Sequence, residues 1–181
     1  TKYALHGPKE VKWLILYGAT VGTLTHTMVW LTQPYYQLVE IPIGWFGILW
    51  AVQLGALAIF AQFADRYEEL LGKKKALASF VLIGVAAYLL LGSFASVLTL
   101  PVLLAFYFIR GVHTPILRDY ANSRIESEVR ATVLSVSNLA QKLLYVGLGP
   151  LIGVIMDVYS LRTALLSSAV IYGLLGGVVL T

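Results

Sequence analysis

The chain has 181 residues, of which 59% are hydrophobic and only 12% are charged. This charged share is about half of the ~25% that soluble globular domains carry, and a mean hydropathy of +0.80 leaves too few polar side chains to cover a globule in water. A net charge of +4 without cysteine excludes disulfide frameworks and thiolate metal sites, and the cations form no basic face of the kind that nucleic acid requires.

Six apolar stretches, each near the length of ~20 residues that a helix needs to cross a bilayer, follow one another along the chain. They cover residues 12–33, 43–64, 76–95, 99–118, 131–156 and 161–180. They lack the period-2 alternation of strands, and lipid requires that backbone groups be satisfied within helices. We therefore predict an all-α, multi-pass membrane bundle of six transmembrane helices over residues 12–181, with a cytoplasmic lead-in at 1–11.

The connections between these stretches differ in charge. The connection before the first helix holds three Lys or Arg side chains, the one between the second and third helices holds four, and the one between the fourth and fifth holds three. The other three connections hold only Arg162. The positive-inside rule then predicts a cytoplasmic start and an outer loop at 33–42, in a plasma membrane or bacterial inner membrane. Because the chain lacks an initiator Met and stops within an apolar run, we expect it to be a piece of a longer protein.

The fifth predicted helix carries a polar face at mid-depth. Asn138, Gln141, Lys142 and Tyr145 recur at helical spacing and so share one side of the helix. Counted from Arg130, Lys142 lies about 18 Å deep at ~1.5 Å per residue, where an ammonium costs at least ~2.5–3.5 kcal/mol. Such a lysine faces either an aqueous cavity or a counter-charge in a structural ion pair.

The fourth predicted helix contains Tyr107, Arg110 and His113. Arg110 precedes the expected inner end at Arg118 by eight residues, which is about 12 Å of helix. Its guanidinium is either a substrate contact or a structural contact. His113 is either functional or a hydrogen-bonded packing residue.

The first and second predicted helices add three polar side chains. His26 and Trp30 are four residues apart and share a face, and Gln53 lies within the second helix. His26 is either a proton carrier, because imidazole titrates near neutral pH, or a hydrogen-bonded core residue.

All nine Asp and Glu residues fall in connections or at helix ends. The predicted bundle therefore holds deep cations without a deep anion, and either an anionic substrate or a carboxylate from elsewhere must balance them. The sequence has no phosphate-binding loop, no metal-ligand spacing of its three His and no nucleophile elbow. We therefore expect neither an enzyme nor a bound metal or cofactor.

Three stretches resemble a known family. They are VWLTQPYYQLVEIPIGWFGILWA at 29–51, FADRYEELLGKKKAL at 63–77, and FYFIRGVHTPILRDYANSRIESEVRATVLSVSNL at 106–139, which LGPLIGVIMD follows at 148–157. Together they are similar to the second six-helix half of the twelve-helix transporters of the major facilitator superfamily.

The resemblance implies a mechanism in which two six-helix halves rock about a site at the midplane. It places helices one, two, four and five of this chain at the cavity, and it makes an N-terminal six-helix half, or a second six-helix chain, the expected partner. Gating at the inner surface is assigned to four residues: Asp65, Arg66, Lys73 and Arg130.

We therefore expect secondary active transport of a small solute, which the deep cations make anionic or zwitterionic. The alternatives are an accessory subunit that transports nothing within a larger membrane complex, and a six-helix protein that dimerises to rebuild twelve helices. The predicted substrate-binding residues are Lys142, Arg110, Gln141, Asn138, Tyr145, His26, Trp30, Gln53 and Tyr107.

Overall fold

A computed structural model describes residues 8–125 and 127–180, and all regular structure in these ranges is helical. The helices are α1 (Lys9–Leu38), α2 (Phe46–Ala61), α3 (Ala64–Leu71), α4 (Lys73–Ser93), α5 (Leu104–Arg124), α6 (Ser127–Val158) and α7 (Leu161–Leu180). Two 3-10 stretches, Ile43–Trp45 and Val97–Leu103, lead directly into α2 and α5.

Six of these segments are long and apolar enough to cross a membrane, namely Lys9–Leu38, Ile43–Ala61, Lys73–Ser93, Val97–Ser123, Ser127–Val158 and Leu161–Leu180. The prediction of an all-helical, multi-pass membrane protein is thereby confirmed. The short α3 is an eight-residue amphipathic helix in the connection between the second and third segments.

Several of the segments extend further than expected, including Ser127–Val158, which begins four residues before the predicted start at 131. Helix α1 continues through Pro34 to Leu38, so that the first half of the expected outer loop is helical. Tyr35 and Tyr36 are buried in this extension, and their packing favours continued helix. Helix α5 passes through Pro115 and continues to Arg124, which places Arg118 inside a span and not in a connection. Of the expected lead-in, residues 1–7 lie outside the described ranges.

Helix α1 occupies the centre of the bundle. It is the most buried of the six segments and contacts α4, α5, α6 and α7. Two reciprocal hydrogen bonds join it to α4: the Tyr17 hydroxyl donates to the Leu77 carbonyl at 2.9 Å, and the Tyr88 hydroxyl donates to the Leu24 carbonyl at 2.8 Å. Such bonds stabilise helix association in lipid, where the hydrophobic effect does not drive it.

Buried threonines along α1 satisfy their hydroxyls mostly within the helix itself. Thr20, Thr25 and Thr32 donate to main-chain carbonyls three or four residues earlier, a bond that short hydroxyl side chains commonly make in helices. Thr23 instead donates to the Gln141 carbonyl of α6 at 3.1 Å. This bond holds the polar face of α6 against the central helix.

Helix α2 packs mainly on α5, and a glycine makes their close approach possible. A Cβ at Gly111 would lie 2.7 Å from the Leu57 carbonyl oxygen and 3.1 Å from the Ala61 nitrogen. The opposite side of α2 is open, since a Cβ at Gly55 would meet nothing within 4 Å.

Candidate functional site

Polar and charged side chains lie at the middle of four of the six spans. Lys142 has 15 residues of α6 before it and 16 after it, and Arg110 stands 13 residues from either end of Val97–Ser123. Gln53 and His26 lie within three residues of the centres of their own spans. Arg110 is thus deeper along its helix than the sequence indicated, because α5 continues beyond Arg118.

A cavity with two lobes forms between α1, α5 and α6. The first lobe has a volume of about 370 Å³, and Arg110 lines it from α5. The second lobe has a volume of about 390 Å³ and contains Lys142 and Tyr145 of α6. His26, Asn138 and Gln141 line both lobes, so six of the nine predicted binding residues meet at one site.

Glycines on α1 allow the polar side chains of α6 to reach over the central helix. A Cβ at Gly22 would lie 2.5 Å from Oε1 of Gln141, and a Cβ at Gly18 would lie 2.8 Å from Oγ of Ser137. Larger residues at these two positions would displace the Gln141 and Ser137 side chains and change the shape of the cavity.

His26 is held by two aromatic neighbours. The Trp30 indole donates a hydrogen bond from Nε1 to Nε2 of His26 at 3.3 Å, and the Tyr145 ring meets the imidazole edge-on at 4.7 Å between centroids. Because Nε2 accepts this bond, the neutral imidazole carries its proton on Nδ1. Trp30 therefore orients a cavity residue, although it does not line either lobe itself.

Gln53 and Tyr107 lie apart from the main cavity. Both line a separate void of about 20 Å³ beneath Tyr36 and Trp50. The side-chain oxygens of Gln53 and Tyr36 are buried near each other there. A void of this volume is large enough for one water molecule.

Two ionisable residues of the cavity were not in the predicted binding set. Arg118 and His113 line the first lobe together with Arg110. The signal was present in the sequence, because positions 110, 113, 114 and 118 follow the spacing of one helical face. Arg118 was interpreted as a connection residue, however, since a basic residue after an apolar run normally marks the end of a membrane helix.

The charged residues that line the cavity are all basic. Arg110, Arg118 and Lys142 line its two lobes, and within the described part of the chain no Asp or Glu does so. The same part of the chain has no group of three or more His, Cys, Asp or Glu that would hold a metal ion. The lining is therefore suited to a negatively charged molecule.

The four residues expected at the gate fall into two groups. Lys73 bridges α3 and α5, with its Nζ 3.3 Å from Glu68 and 2.8 Å from Asp119. Arg130 donates to the main-chain carbonyls of Asn122 and Ile125 at 3.2 and 3.0 Å and so closes the α5–α6 turn.

Asp65 and Arg66 are exposed and form no ion pair within residues 8–125 and 127–180. Glu68, and not Asp65, is the α3 carboxylate that reaches the basic start of α4. Of the four residues expected at the gate, Lys73 and Arg130 are therefore the two that make contacts between helices.

A scan against protein-family models, a search of curated proteins and a search of solved structures each found no match. The chain is thus characterised by its own geometry. It is an all-helical protein with six helices fit to cross a membrane, and it has a cationic cavity at the middle of its spans.

Proposed function

We propose that this chain is one six-helix half of a secondary active transporter of the major facilitator superfamily, and that it moves a small anionic or zwitterionic solute by alternating access. The observation that carries the proposal is the convergence of mid-span polar side chains from α1, α5 and α6 on one cavity. Ionisable residues within membrane spans mark solute pathways, and transporters place their binding sites near the bilayer midplane between two repeats.

The energetics of the cavity support a solute of negative charge. A cation at mid-span costs at least ~2.5–3.5 kcal/mol, and Arg110 and Lys142 have no carboxylate beside them among the described lining residues. A negatively charged solute in the cavity would offset part of this cost. A solute that occupies both lobes would contact Asn138 and Gln141, which lie between them.

In this proposal a second six-helix unit, either an N-terminal half of the same protein or another copy, covers the open side of the cavity. The cation-rich helix ends face the cytoplasm, as the positive-inside rule requires, in a plasma membrane or bacterial inner membrane. Alternating access separates the helix ends at that surface. The ion pairs of Lys73 are partly exposed, and exposed pairs contribute no more than ~1 kcal/mol, so they can break and reform during each cycle.

Uptake into proteoliposomes tests the proposal, with the protein expressed from its complete natural gene and a panel of labelled carboxylates and amino acids. We expect uptake of at least one of these solutes, its loss in Lys142→Ala and Arg110→Ala, and unchanged uptake in Lys12→Ala. Lys12 is the matched control because it is an exposed cation at the start of α1, outside the cavity.

Two outcomes would contradict the proposal in different ways. Full uptake by both cavity variants would remove Lys142 and Arg110 from the solute pathway. Absence of uptake, together with copurification in a fixed ratio with other membrane subunits, would favour the accessory subunit, in which Lys142 pairs with a partner's carboxylate.

A further inference from the structure

Helix α5 places two arginines on the wall of the same lobe. Arg110 and Arg118 both line it, as do His113 and Thr114 between them. Eight residues of helix separate the arginines, which corresponds to about 12 Å along the axis. The lobe therefore holds two positive charges and no lining carboxylate, and a ligand with two negative groups would balance both.

Arg118 is available for a ligand. It is exposed, and it forms no salt bridge with any residue in the described ranges. Its neighbour Asp119 is already engaged with Lys73 at 2.8 Å. The guanidinium therefore has its hydrogen-bond donors free of protein carboxylates, and its planar fork is suited to bidentate binding of a carboxylate.

His113 contributes a buried polar atom between the arginines. The side chain is only 8% exposed, and its Nε2 has no hydrogen-bond partner among the described residues. The ring packs against Tyr17 at 5.5 Å and against Phe80 at 5.9 Å between centroids. These contacts restrict the turning of the ring towards another partner. The Nε2 atom is therefore closed to the lobe, and the two arginines remain the charged contacts for a ligand.

We propose that the first lobe binds a dianion whose two negative groups lie at opposite ends of the molecule, one on Arg110 and the other on Arg118. This inference rests on the proposed function and narrows its substrate class to dicarboxylate-like solutes. The remaining polar lining includes Thr25, His26, Ser137, Asn138 and Gln141, none of which is a carboxylate that would oppose the dianion.

A series of probes that differ only in charge tests this inference. The full protein is purified in detergent, and its thermal unfolding is followed during titration with succinate, its half-amide succinamate and the neutral succinamide. Glutarate and adipate extend the distance between the carboxylates. We expect a dianion of one of these lengths to bind, its half-amide to bind roughly 10- to 100-fold more weakly because one charged hydrogen-bonded contact is lost, and the diamide not to bind.

Three variants connect that preference to the structure. Arg118→Gln is expected to bind the dianion and its half-amide equally, and Arg118→Lys to retain part of the difference because the charge remains without the fork. Lys12→Gln, which removes one exposed cation outside the cavity, should keep the full difference.

The inference is overturned if no dianion of the series stabilises the protein more than its diamide does, or if the preference persists in Arg118→Gln. The proposed function fails separately. Uptake of a neutral or singly charged solute that depends on Lys142 would sustain transport and refute the dianion. Dianion binding without any uptake would sustain the dianion site and refute transport.

Discussion

The packing of α2 on α5 makes Gly111→Ala an informative substitution. The new methyl group would lie 2.7 Å from the Leu57 carbonyl oxygen and 3.1 Å from the Ala61 nitrogen, whereas ordinary contacts begin near 3.4 Å. Both are main-chain atoms of α2 and cannot rotate away. Helix α2 would therefore have to retreat by about 0.7 Å at Leu57, and overpacking of this kind costs ~1–3 kcal/mol.

A control on the opposite side of α2 isolates this cost. Gly55→Ala introduces the same methyl group into open space, and both substitutions gain up to ~1 kcal/mol of helix propensity. The propensity gains cancel in the comparison, so Gly111→Ala should be less stable than Gly55→Ala by roughly 1–3 kcal/mol. The free energy of unfolding is measured by titration of the protein with SDS in mixed micelles, followed by circular dichroism. Equal unfolding midpoints for the two variants would refute the close approach of α2 and α5.

Two further substitutions probe contacts between helices. Tyr88→Phe removes the buried hydrogen bond to the Leu24 carbonyl and should lower the free energy of unfolding by about 0.6–1.7 kcal/mol in the same titration. Tyr159→Phe, at a side chain that is 74% exposed, should leave the free energy of unfolding unchanged, and equal losses in the two variants would count against the bond. Lys73→Gln breaks two partly exposed ion pairs and should lower the free energy of unfolding by less than ~1 kcal/mol, a difference that high salt abolishes. Lys74→Gln should leave the free energy of unfolding unchanged at any salt concentration. A loss of stability in Lys73→Gln that persists in high salt would contradict this account.

The six spans could be predicted from the sequence because composition and length decide them. Their ends could not, because the usual boundary signals are weaker in lipid than in water. Pro34 lies inside α1, since neighbouring helices and side chains satisfy the carbonyls that proline frees in a membrane. Arg118 lies inside α5, although a basic residue after an apolar run normally marks the end of a membrane helix. Burial of Tyr35 and Tyr36 then extends α1 by one more turn.

The candidate site was predictable where a single helix determines it. The spacing of Asn138, Gln141 and Lys142 places them on one face, and the structure brings that face to the cavity. Gln53 and Tyr107 have similar depth, yet they point to a different void. Depth follows from position along one helix, whereas the partner of a side chain depends on how several helices pack together.

The central position of α1 has a consequence for how the protein is made. The chain is synthesised from its N-terminal side, so α1 enters the membrane before α4, α6 and α7 exist to surround it. Most of its buried threonine hydroxyls already bond to carbonyls of the same helix and therefore need no neighbour to be satisfied in lipid. These hydroxyls are therefore satisfied in the bilayer before α4, α6 and α7 have been translated.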